Sequence, residues 1–91
     1  MAKYKIVTAH AYSSKYKTYV VGAYVHETLP DGLPGRDTFK VLFNYAIDED
    51  RETARREAIA RIYKDNARHP ADMPVETLGR VSMDILQGCA F

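Results

Sequence analysis

The clearest pattern of apolar and polar positions lies between residues 37 and 46. Phe39, Val41, Phe43 and Tyr45 alternate with Lys40, Leu42 and Asn44, the period-two spacing of a strand with one covered face. Residues 3 to 10 read as a first strand and residues 16 to 26, rich in Tyr and Val, as a second. Tyr12-Ser13-Ser14 is the turn expected between them. Gly22, inside the second strand, points to a bulge or a close approach by a neighbour. Two prolines and two glycines between Thr28 and Gly35 mark a loop.

A helix is expected next. Asp48 or Asp50 is the N-cap, and Asp48, Glu49, Asp50 and Glu52 crowd the first turn, where the helix dipole favours negative charge. Ala54, Ala58, Ile59, Ile62 and Tyr63 form its apolar stripe. Pro70 forces the helix to end between Asn66 and His69. Pro70 to Thr77 is read as a linker. Residues 79 to 86 are read as a last strand, with Val81, Met83 and Ile85 on one face and Arg80, Ser82 and Asp84 on the other. The order β-β-β-α-β implies an α+β fold: a two-layer domain with a mostly antiparallel sheet and one helix on one face.

One helix leaves the second sheet face open, and that face should be polar. With Tyr4 opposite Tyr24 in an antiparallel first hairpin, the odd positions Val7, Ala9, Tyr19, Val21, Ala23 and Val25 suit the helix side. They continue into Phe39, Val41 and Phe43. The even face then holds Tyr4, Ile6, Thr8, His10, Thr18, Val20, Tyr24, His26, Lys40, Leu42 and Asn44. It has an aromatic and aliphatic centre with a polar, basic fringe, the composition of a contact surface. A slip of one residue would exchange the faces of a strand.

Composition narrows the options. At 91 residues the chain is one domain, 1–91, and its net charge of +1 is far from the excess of a dedicated duplex binder. The single cysteine, Cys89, allows no internal disulfide and no Cys-rich zinc site. No apolar run is long enough to span a bilayer. The start, Met-Ala-Lys-Tyr-Lys, has no signal-peptide pattern. A soluble cytoplasmic protein without membrane partners is expected.

Candidate chemistry adds little. His10, His26 and His69 show no metal-ligand spacing, the acid run at 48–50 lacks the rest of a calcium loop, and Cys89 has no activating neighbour in sequence. No catalytic residue, cofactor or metal is expected, and the chain reads as a non-enzyme. The segments KYKIVTAHAY, from Lys3, and KYKTYVVGAY, from Lys15, agree at five of ten positions. Their Lys-Tyr-Lys triplets suggest single-stranded nucleic acid, with lysines on phosphates and tyrosines on bases. An antiparallel hairpin separates the triplets, so this is the alternative reading. The favoured reading is a module that binds another protein or protein complex, or its own copy as a homodimer through the even face. Its candidate contact residues are Tyr4, Ile6, Val20, Tyr24, Lys40 and Leu42, with Tyr16 and Lys17 at the start of the second strand and Arg36 beside the proline- and glycine-rich loop.

In size and architecture, with three strands, one charged helix and a final strand, the chain resembles the small phage-encoded inhibitors of the anti-CRISPR type. The resemblance covers architecture only and carries no residue across. It implies a non-enzymatic inhibitor, in the cytoplasm of the phage's host, that occupies a surface of a CRISPR effector complex.

Overall fold

The computed structural model describes residues 3–65 and 73–88. Its elements are β1 (Lys3–Ser13), β2 (Thr18–Thr28), β3 (Pro34–Tyr45), a single 3-10 turn at Asp48–Asp50, α1 (Arg51–Asp65), β4 (Val75–Arg80) and α2 (Met83–Gly88). The strands form one four-stranded sheet in the order β3-β2-β1-β4. β1, β2 and β3 are antiparallel neighbours, and β4 joins β1 in parallel. The fold is thus α+β and mostly antiparallel, with α1 packed on one face. The expected end of α1 between Asn66 and His69, and the tail with Cys89 and Phe91, lie outside the described residues.

Turn chemistry sets the first register. The expected Tyr12-Ser13-Ser14 turn is displaced to Ser14–Lys17, because Ser13 and Thr18 still pair as strand residues. The Ser13 hydroxyl accepts from the Tyr16 amide at 3.3 Å. Lys17 closes the loop in the left-handed region, at φ 53°. The shift places Tyr4 opposite Glu27 and Tyr24 opposite Val7. This corrects the expected Tyr4–Tyr24 pairing and turns all of β1 over, since side chains alternate faces.

On the α1 side, the core holds Ile6, Val21, Ala23, Val25, Tyr45, Ala54, Ala58, Ile62 and Met73. Ala23, Ala54 and Ala58 are small and buried, which lets the helix approach the sheet closely. α1 lies across β2 and β3 and barely reaches β1. The Tyr63 hydroxyl donates to the Met73 carbonyl at 2.8 Å, fixing the chain just before β4.

Two further expectations change. The loop from Thr28 to Gly35 is shorter than expected, because Pro34 and Gly35 already belong to β3. Leu29 and Leu33 bond across a tight turn at 2.8 Å, Gly32 takes φ 87°, and the Asp31 carboxylate accepts from the Leu33 amide at 3.0 Å. The last strand is at 75–80 instead of 79–86. β4 is a mostly exposed edge strand, so its sequence shows no apolar alternation. Gly79, at φ 82°, sits where its register against β1 shifts. Val81 and Met83, expected to alternate on a strand, fall in a connection and at the start of α2. Ser82 precedes that helix as a capping residue type, and its carbonyl accepts from the Leu86 amide at 3.0 Å.

Candidate functional site

The face opposite α1 is built from the odd positions of β1, the even positions of β2, and Leu42 and Asn44 of β3, as the registers dictate. Its centre is apolar: Val7, Ala9, Ala11 and Val20 are buried. α2 covers one end of it. Leu86, buried, packs on Ala9, Ala11 and Val20, with Val81 and Met83 partly buried beside them. A sheet apolar on both faces thus receives two covers, a long helix on one side and a six-residue helix on the other.

The second cover is incomplete. Between α2 and the β3 edge runs a cleft of about 480 Å³, lined by Ser13, Tyr16, Thr18, Val20, Leu42, Asn44 and Met83. It shares Ser13, Tyr16 and Met83 with a second cleft of about 530 Å³, which continues to Arg80, Ser82 and Asp84. Together they make one groove around the turn end of the sheet. Val20 is its buried floor, while Leu42 and Tyr16 stand on its walls, 46% and 67% exposed. The Lys15 ammonium lies 5.2 Å from the centre of the Tyr16 ring, a cation–π distance. The Thr18 hydroxyl donates to the Tyr45 carbonyl at 3.3 Å, tying the groove's rim to the end of β3.

The structure divides the sequence candidates into groups. Tyr16, Val20 and Leu42 meet in the groove, and Lys17 lies in the adjoining turn. Tyr24 is half-buried on the same face but farther along β2. Lys40 is exposed at the β3 irregularity opposite Tyr24. That irregularity brings Asp37 beside His26, with Nδ1 and Oδ1 2.7 Å apart. Arg36 is exposed near the opposite end of the sheet, where its amide donates to Glu27 at 3.4 Å.

Tyr4 and Ile6 do not belong to the open face. The register turns them under α1, and Ile6 is fully buried in the core. Tyr4 packs against the same core, and its hydroxyl donates to Glu27 Oε2 at 3.2 Å. Desolvation raises the Tyr4 pKa above its ordinary value, and the hydrogen bond and the negative charge of Glu27 add to the rise.

Asn44, Thr18, Ser13 and Met83 are groove residues not chosen from the sequence. Asn44 and Thr18 were on the expected even face and could have been found by weighting its polar members. Met83 was hidden by the reading of its segment as a strand.

The two Lys-Tyr-Lys triplets sit at opposite ends of the β1–β2 hairpin, roughly 30 Å apart at strand rise. Lys5 of the first is paired with Glu76. Among the described residues, no group of three or more His, Cys, Asp or Glu side chains is arranged to hold a metal ion, and no helix is long and apolar enough to cross a membrane. No protein-family model matches the chain, and comparisons with curated proteins and with solved structures returned no match.

Proposed function

We propose that this domain is a small, non-enzymatic protein-binding module and that the groove between α2 and β3 is its contact site. One observation carries the reading. Leu42 and Tyr16 are exposed on either side of a groove floored by Val20. A large aromatic ring and an aliphatic side chain around an apolar floor form the kind of anchor that dominates protein interfaces. Asn44, Thr18 and Lys15 supply the polar rim such a contact needs. A module of this kind acts by occupancy. Its likeness in architecture to anti-CRISPR-type inhibitors gives that action a specific form, blocking a surface of a CRISPR effector complex.

The test is capture of a partner from the native host with tagged wild-type protein, beside Leu42→Asp and Leu33→Asp. Leu33 is also exposed, at 60%, but lies at the other end of the sheet. The expected result is a partner retained by wild type and Leu33→Asp and lost by Leu42→Asp. Equal capture by all three removes the groove from the interface. Solution mass, measured in parallel, identifies a second copy of the chain as the partner if the wild type is dimeric and Leu42→Asp is not. Labelled single-stranded RNA separates the alternative function. Protein-only binding requires no salt-sensitive affinity at micromolar concentration.

A further inference from the structure

The two edges of the sheet are protected unequally. β4, at one edge, is six residues long, carries Glu76 and Arg80, and shifts its register against β1 beside Gly79. β3, the other edge among the described residues, is twelve residues long. Over residues 34–40 it holds Pro34, Arg36, Asp37 and Lys40, and its register against β2 shifts twice between Pro34 and Val41. Charges, prolines and irregular pairing are what keep an edge from adding a further strand. Beyond Lys40 these defences stop. Residues 41–47, Val-Leu-Phe-Asn-Tyr-Ala-Ile, contain no charge, proline or glycine. Residues 41–45 pair with β2 without a break. Apolar surface also remains there: Leu42 and Ile47 are 46% and 50% exposed, and Val41 and Phe43 are only partly buried although they pack on the α1 core.

We propose that this stretch of β3 pairs antiparallel with the same stretch of a second copy of the chain, about a two-fold axis at Leu42. That register sets Leu42 against Leu42 on one face and Val41 against Phe43 on the other. It sets Lys40 against Asn44, so no like charges meet across the strands. The flanks are complementary as well. Arg36 and Lys40 precede the paired stretch, Glu49 and Asp50 follow it, and all four are exposed. Asp37, the acid on the basic flank, is held by His26. Antiparallel pairing brings the basic flank of each copy toward the acidic flank of the other, whereas parallel pairing sets like with like. This self-complementarity selects a second copy over an unrelated strand. One continuous sheet results, with both α1 helices on one face and both α2 helices on the other. Its outer edges are then the two protected β4 strands, so the assembly closes as a dimer. The contact is the backbone edge of β3, not the Val20 floor, and it does not rest on the groove reading.

The experiment uses the full chain with Cys89→Ser, so that introduced cysteines report alone. Directly opposed residues of an antiparallel pair have Cα atoms about 4.5 to 5.5 Å apart, within disulfide reach. Leu42→Cys should therefore oxidise to a covalent dimer. Asn44→Cys should not, because the two copies of residue 44 stand about 14 Å apart at strand rise. Sedimentation equilibrium without a cross-link should give a reversible dimer. Asn44→Asp, opposite Lys40, should tighten it and Asn44→Lys loosen it, each by about fivefold, since symmetry makes the pair twice. Glu76→Gln raises the net charge by the same amount as Asn44→Lys, but at the β4 edge, and should leave association unchanged. A monomer at every concentration, a series of larger oligomers, or a dimer in which Leu42→Cys fails to cross-link overturns the pairing. The last result assigns the dimer to another surface, such as the groove. Loss of a captured host partner in Leu42→Asp tests the groove separately, and a monomeric wild type leaves that test intact.

Discussion

Ile6 and Leu42 offer a direct test of which sheet face lies under α1. Replacing either by Ala removes the same three carbon atoms, so the two variants differ only in environment. At about 0.8 kcal/mol per buried methylene, full burial of those atoms contributes about 2.4 kcal/mol. Ile6 is 0% exposed and enclosed by the α1 core. Ile6→Ala therefore loses the whole transfer contribution and leaves a cavity, for a total of about 3 to 4 kcal/mol. Leu42 is 46% exposed. Leu42→Ala loses about half the transfer contribution, near 1 kcal/mol, and opens no enclosed void. The expected gap is at least about 2 kcal/mol, a large part of the stability of a domain this size. With a urea slope of about 1 kcal/mol/M, the midpoints should separate by about 2 M, followed by circular dichroism with the slope checked for constancy. Equal midpoints, or a lower one for Leu42→Ala, would refute the register. In the alternative pairing of Tyr4 with Tyr24, Ile6 faces outward beside Leu42, and the two substitutions cost the same.

Three other outcomes follow from particular contacts. Leu86→Ala should release α2 locally, because Leu86 is that helix's buried anchor and six residues do not hold a helix unaided. Hydrogen exchange should show α2 amides deprotected while those of β2 and α1 stay slow, and a uniform loss of protection would contradict an independently docked α2. At Lys17, the left-handed backbone favours glycine. Lys17→Gly should raise stability by up to about 1 kcal/mol and Lys17→Val should lower it, with thermal melts of equal midpoint counting against the loop geometry. Tyr4 binds its proton more tightly in the folded protein than at its ordinary value of 10.0. The stability this contributes is fully present below pH 10 and is lost as pH rises through the raised value. Absorbance titration of tyrosinate should show Tyr4 ionising late, and Glu27→Gln should lower its value only part way because desolvation, the largest cause, persists.

The elements that carry their own periodicity were legible before the fold was seen. β3 alternates because one of its faces packs under α1, and α1 shows its stripe because Ala54, Ala58 and Ile62 all touch one core. β4 and α2 were not legible, each for a physical reason. β4 is an exposed edge with no alternation to display, and α2, at six residues, is too short for a stripe; among its described side chains Leu86 is the buried anchor. Their join at Val81-Ser82-Met83 happens to continue a two-residue rhythm into the first turn of a helix, which is why one false strand replaced a real strand and a helix.

The register of the first hairpin was underdetermined for a deeper reason. β1 is buried on both faces: Ile6 and Thr8 on the α1 side, and Val7, Ala9 and Ala11 on the α2 side. A strand with one polar face punishes a slip by burying that face, but β1 provides no such penalty. What fixes it is the turn, through the Ser13–Tyr16 contact and the left-handed Lys17, which no periodicity reveals. The same double-faced composition creates the candidate site. Two apolar faces call for two covers, and the second cover is a six-residue helix that ends its reach at Val20 and Met83. The apolar surface beyond it continues to Leu42 on the β3 edge. The face that made the register ambiguous is therefore also the face on which a partner has something to bury.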